Sequence, residues 1–187
     1  MAAFGDIRRT AIQGDGPLIF VTVGAQMPFD RLVSAVDHWA SDRNRSDVFA
    51  QIGQSEYRPQ RIECSQLLEP DEFRRRCEGA SAIVAHAGTG SIITALQMGK
   101  PIIIMPRRAS LMETRNDHQV ATAEQFKKFS SVVVAWNENE LPARLDEIDG
   151  MVGQTSVGQY ASEELLKAVR GFIDGEINSQ RSRSPRI

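Results

Sequence analysis

The stretch Ile83-Val84-Ala85-His86-Ala87-Gly88-Thr89-Gly90-Ser91-Ile92-Ile93 decides how this chain is read. A short apolar run stops at a histidine, passes through glycines, and becomes a helix. In a parallel α/β sheet that is the junction between the carboxyl end of a strand and the amino end of the next helix. The first N–H groups of a helix have no intrahelical partner, and the helix dipole is positive there, so the junction suits a phosphate. Gly88 and Gly90 have no Cβ to hold an anion off the backbone, and Thr89 and Ser91 place hydroxyls beside it. A plain tight turn with an N-cap fits the same residues, because one glycine-rich turn is not specific by itself.

The flanking sequence repeats the pattern. Leu18 to Val23 is a continuous apolar run, as in a strand buried on both faces, and Gly24 ends it. Pro28 suits the first turn of a helix whose Phe29, Leu32, Val33, Val36, Trp39 and Ala40 fall on one face. Val48–Gly53 is a further strand, and Gln60–Leu67 a more polar one suited to a sheet edge. Asp71–Cys77 is a short charged helix. Its run Arg74-Arg75-Arg76 reads as a solvated surface or as a basic binding face. Beyond the central stretch, a helix closes at Gly99 and Pro101, Ile102–Met105 is a buried strand, and Asn116 opens a helix through Lys128. Val132–Ala135 is a last strand and Glu138–Ile148 a last helix. Strands alternating with helices at this spacing predict an α/β fold, a doubly wound, mostly parallel, Rossmann-like sheet.

The expected organisation is a flexible lead over 1–16, the sheet domain over 17–150, a hinge and amphipathic helix over 151–177, and a disordered basic tail over 178–187. The helix stripe of Tyr160, Leu165, Leu166, Val169, Phe172 and Ile173 packs either on this domain or on a partner. With 187 residues, 41% hydrophobic and 25% charged, the composition is that of a globular domain. A net charge of −2 argues against a nucleic-acid partner. Cys64 and Cys77 have no metal-type spacing and read as reduced thiols of a cytoplasmic protein. No apolar run approaches the roughly 20 residues of a membrane span.

In such a sheet, ligands bind outside the carboxyl ends of the strands. Three loops converge there, Gly24–Met27, His86–Ser91 and Arg107–Gln119. They carry backbone amides, hydroxyls, histidines and arginines, with no carboxylate pair, metal cluster or nucleophile elbow. That inventory suits holding a phosphorylated polar ligand more than covalent catalysis, and no metal or other cofactor is expected. Asn116 and Gln119 also fit a capping box, with Asp117 complementing the dipole; His118 has no such structural reason. His86 fits a satisfied, half-buried strand end as well as a ligand contact.

Taken together, Val21-Thr22-Val23-Gly24 with Phe29-Asp30, His86-Ala87-Gly88-Thr89-Gly90-Ser91, Gly99-Lys100-Pro101 and Asn116-Asp117-His118-Gln119 resemble a known family. It is the carboxyl-terminal half of GT-B glycosyltransferases of family 28. Within it, the chain is similar to small stand-alone subunits of the PssE type in exopolysaccharide assembly. It is similar too to the soluble subunit of the dolichol-pathway N-acetylglucosaminyl transferase. The resemblance covers roughly residues 17–150.

The resemblance implies a UDP-sugar donor half-enzyme, UDP-sugar being substrate rather than cofactor. Gly24, Ala25, His86, Gly88, Thr89, Gly90 and Ser91 would face the donor diphosphate. Thr94, Arg107, Asn116, Asp117, His118 and Gln119 would face the sugar or nucleoside. Thr94 stands where family members commonly carry a ribose-binding Glu, and a hydroxyl is the weaker acceptor. Arg107 or Arg108 would help offset charge on the leaving diphosphate, and His86 is a candidate base. A separate, membrane-anchored PssD-like chain would bind a lipid-linked acceptor and hold this chain peripherally at the membrane. A non-catalytic nucleotide-sugar-binding module that supports a partner, and a nucleotide-binding protein or adaptor unrelated to the family, are the competing readings.

Overall fold

The computed structural model describes residues 18–154, with side chains through residue 148. The expected lead over 1–16, the residues after 154, and with them the amphipathic helix and the tail, lie outside the described residues.

Six strands form one sheet: β1 (Leu18–Thr22), β2 (Val48–Gln51), β3 (Glu63–Ser65), β4 (Ala80–His86), β5 (Ile102–Met105) and β6 (Val132–Val134). They are ordered β3-β2-β1-β4-β5-β6, and every neighbouring pair is parallel. The order reverses between β1 and β4, which makes that gap the topological switch point of a doubly wound sheet. β3 is the polar edge strand that the 60–67 stretch predicts.

Five helices cover the two faces. α1 (Asp30–Asp42) and α5 (Leu141–Gln154) pack on one, and α2 (Pro70–Gly79), α3 (Thr89–Gln97) and α4 (His118–Phe126) on the other. Each face closes its own core, because a strand buried on both sides sends alternate residues to opposite cores. Ile19 and Val21 of β1 join the α1/α5 core, and Phe20 joins the other. Leu32, Val33, Val36, Trp39 and Ala40 of α1 are all buried, as their helical spacing requires.

Several local expectations change in the tertiary context. Pro28 is not in the first turn of α1; Phe29 is the cap residue, and its N–H donates to Ser55 Oγ at 3.1 Å instead of to a side-chain cap within the helix. The arginines of α2 are engaged by their own helix: Arg74 with Glu78 at 2.9 Å, Arg75 with Glu72 at 2.6 Å, Arg76 with Glu72 at 2.8 Å. They form a solvated, paired surface rather than a free basic face. The last helix starts at Leu141 rather than Glu138, because Asn137 Oδ1 accepts from the N–H groups of Asn139 and Glu140 while Glu140 reaches back to Trp136 N–H. It then runs on through Gln154, past the hinge start expected at Met151.

Candidate functional site

Three loops leave the carboxyl edge of the sheet at the switch point and its flank: 23–29 after β1, 87–88 after β4, and 106–117 after β5. Between them lies a cavity of about 710 Å³, lined by Gly24, Ala25, Gln26, Met27, His86, Gly88, Arg107, Thr114, Arg115, Asn116, His118 and Gln119. The three loops singled out from the sequence do meet.

His86 forms the floor. It ends β4 on the same sheet face as Ala82 and Val84, and its ring lies between two glycines. A Cβ on Gly24 would come within 2.9 Å of His86 Cε1, and one on Gly88 within 2.2 Å of Nε2. Gly24 also has φ +78°, a conformation that disfavours any side chain. Both glycines are therefore demanded by the histidine, a reason that spacing alone does not reveal. Burial, then repulsion from the Arg107 cation, lowers the His86 pKa to about 4, so the ring is neutral at physiological pH. Its buried Nδ1 has no hydrogen-bond partner. The expectation of a satisfied strand-end histidine fails on that point. A weak base with its ring enclosed is also a poor group to deprotonate an acceptor.

The helix that follows begins with Gly88 as cap residue and Thr89, Gly90 and Ser91 as its first turn. Gly88 lines the cavity, whereas Thr89, Gly90, Ser91 and, one turn on, Thr94 stand beside it without lining it. A Cβ on Gly90 would meet no atom within 4 Å, so neither packing nor left-handed backbone requires a glycine there.

The third wall is built by carboxylates and amides that sequence does not pair. Arg31 of α1 grips Glu113 through both oxygens, at 2.8 and 2.9 Å, and reaches Pro106 O and Glu138. Glu113 also accepts from the N–H of Arg108, which folds 106–113 back on itself. The capping box does not form. Asp117 is the cap residue of α4, yet its Oδ1 accepts from Ala109 N–H at 2.9 Å. Gln119 turns inward, is 5% exposed, and its Oε1 accepts from Arg107 N–H at 3.2 Å. Asn116 Oδ1 accepts from His118 N–H and lies against His118 Nδ1. Since that oxygen can only accept, His118 donates through Nδ1 and leaves Nε2 with its lone pair at the cavity mouth.

Arg107 and Arg108, adjacent in sequence, have separate uses. Arg108 Nη2 donates to Trp136 O at 2.9 Å, away from the cavity. Arg107 is 4% exposed and donates through Nη2 to Val23 O and Met27 O, at 2.8 and 2.6 Å, across the cavity's edge. Gln26, Met27, Thr114 and Arg115 also line the cavity but were not singled out from the sequence. They sit on loops whose course is set by Arg107 and Glu113, and no local pattern marks them.

A doubly wound parallel sheet with a polar cleft at its switch point defines the class: an α/β domain of the kind that binds ligands at its strand ends. Within that class, the glycosyltransferase family 28 C-terminal domain model matches residues 18–151, and the chain belongs to this family. It is 26% identical over 129 residues to the UDP-N-acetylglucosamine transferase subunit ALG13 of Yarrowia lipolytica, covering 59% of this chain and 61% of that one. It is 35% identical over 69 residues to the subunit of the same name of Candida albicans, covering 37% and 22%. The chain thus spans less than two thirds of either relative. It shares its fold with the solution structure of ALG13, at TM-score 0.51 and 20% identity over 70% of this chain and 84% of that one. The calicheamicin glycosyltransferase CalG4 shares it at TM-score 0.55 and 16% identity, over 91% of this chain but 45% of that one. Among the described residues, no helix is long and apolar enough to cross a membrane, and no cluster of His, Cys, Asp or Glu could hold a metal ion.

Proposed function

We propose that this chain is the UDP-sugar-binding subunit of a two-chain inverting glycosyltransferase. In this reading the diphosphate lies along Gly24, Ala25, His86 and the 88–91 turn, and the sugar and nucleoside reach Asn116, Asp117, His118, Gln119 and Thr94. The observation that carries it is the cavity at the β1/β4 switch point, where a neutral histidine is pressed between two glycines in a family 28 domain. Such a surface lets a charged ligand approach the backbone, and the amino end of α3 favours its negative charge.

As the bond from the anomeric carbon to the phosphate oxygen breaks, charge grows on the departing diphosphate. The α3 amides are placed to offset it. The acceptor hydroxyl loses its proton to a base supplied by a membrane-anchored, PssD-like partner that also presents the lipid-linked acceptor. His118, held by Asn116, accepts a hydrogen bond from a sugar hydroxyl through Nε2.

The test is a titration of the full chain with UDP-N-acetylglucosamine and other UDP-sugars, alone and with the acceptor-binding chain, followed by transfer to a polyprenyl-linked acceptor. Saturable donor binding and transfer that requires both chains are the expected results. Transfer at full rate by the partner alone would leave this chain a supporting role, and failure of any UDP-sugar to bind would refute the reading.

A further inference from the structure

Among the described residues, Arg107 is the only buried cation. No carboxylate among them lies within ion-pair distance of it. Glu113, the acid whose field reaches it, has both oxygens occupied by Arg31. What Arg107 has instead are neutral partners: the carbonyls of Val23 and Met27, and the Phe29 ring 5.0 Å from its guanidinium carbon. Its Nε–H has no partner. A buried charge is expensive to hold without a counter-charge, and hydrogen bonds to carbonyls recover only part of that cost. Burial lowers its pKa only to about 10, so the group remains a cation at neutral pH.

Its position fixes which part of a ligand it meets. Both carbonyls flank the Gly24–Met27 loop, so the guanidinium sits with the wall that carries Gly24 and Ala25, not beside the Asn116–His118 pair. It also lines the cavity.

We propose that Arg107 is the anion-selecting residue of this cavity: it supplies the missing counter-charge to a ligand's phosphate group from the β1-loop side, rather than contacting sugar or nucleoside. The inference rests on the nucleotide-sugar reading and refines it. One residue then both braces the rim and discriminates a phosphorylated ligand from a neutral one. Arg108 has neither task, because its guanidinium is committed to Trp136 O.

Calorimetric titration of the full chain with uridine, UDP and inorganic pyrophosphate, for wild type, R107K, R107Q and R108Q, separates these roles. Wild type prefers UDP over uridine. R107Q cuts that preference by roughly tenfold or more, the fold-change expected for losing a charge-assisted hydrogen bond, while uridine affinity holds. R107K keeps the charge without the planar fork and retains most of the preference, and R108Q leaves it unchanged. Circular dichroism melts check the fold, and R107K carries the comparison if R107Q does not fold.

Equal loss of uridine and UDP affinity in R107K or R107Q would reduce Arg107 to a loop brace and overturn the proposal. An unchanged preference in R107Q would overturn it too. If wild type binds pyrophosphate in an Arg107-dependent way but neither uridine nor UDP, the nucleotide reading falls and the anion assignment stands. If pyrophosphate does not bind wild type, or binds R107Q as tightly, the assignment itself is wrong.

Discussion

His86 and Gly88 are locked together: a Cβ at residue 88 would sit 2.2 Å from His86 Nε2, inside any real contact distance. Gly88→Ala must therefore displace the imidazole or bend the strand end. It is expected to destabilise the fold by about 1–3 kcal/mol, the usual cost of overpacking, and to weaken nucleotide binding. The same substitution in a His86→Ala background should cost about 1 kcal/mol less or better, because the clash is gone. Urea denaturation of the four-member cycle measures this. An equal cost in both backgrounds would show that the glycine serves something else.

Gly90 makes the opposite case. A Cβ there meets nothing, and the residue is in the first turn of α3. Gly90→Ala is expected to leave stability unchanged or raise it by up to about 1 kcal/mol, through helix propensity. If the turn receives a phosphate, UDP affinity falls in the same variant. Thermal melts paired with UDP titration decide, and a stabilised variant with wild-type affinity would show that the ligand does not approach this amide.

The depressed His86 pKa makes stability depend on pH. The unfolded imidazole takes up a proton below pH 6.5, whereas the folded one, buried and facing Arg107, resists until about pH 4. Unfolding therefore binds protons in that window, and stability rises with pH between the two values. The slope should approach about 1.4 kcal/mol per pH unit, for a total loss on the order of 3 kcal/mol on acidification from above 6.5 to 4. His86→Asn removes this component. Denaturation curves at pH 7, 5.5 and 4.5 for both proteins give the comparison, and parallel pH profiles would contradict it.

Asp37 has a more acidic signature. It is 2% exposed, and burial alone would raise its pKa. The N–H groups of Gln60, Ile62 and Arg61 and the Tyr57 hydroxyl outweigh burial and hold it below the usual carboxylate value. Its contribution is complete above the unfolded pKa near 3.8 and is lost as pH falls below that through the folded value. Asp37→Ala strands those donors and is expected to cost on the order of 3 kcal/mol at pH 7. The gap between variant and wild type should narrow at pH 3, as chemical denaturation at the two pH values can show.

Much of this molecule was legible from local pattern. Continuous apolar runs bounded by glycine and proline marked the strands, because a strand covered on both faces has no polar side to alternate with. The 3.6-residue stripe of Phe29, Leu32, Val33 and Val36 marked α1 for the same kind of reason. The convergence of three loops followed from topology, since every strand of a parallel sheet delivers its carboxyl end to one edge.

The sequence determined, by itself, which segments pack and which edge of the sheet carries the loops, since both depend on short-range periodicity and chain direction. Tertiary structure alone decided what individual polar residues do. Gln119 and Asp117 abandon a capping box for backbone N–H groups ten or so residues away, because those groups are otherwise left unpaired. Arg107 and Arg108 are chemically identical neighbours, but one is buried beside the cavity and the other tied to Trp136 O. Nothing local separates them: the difference lies in the electric field and hydrogen-bond partners that distant segments bring.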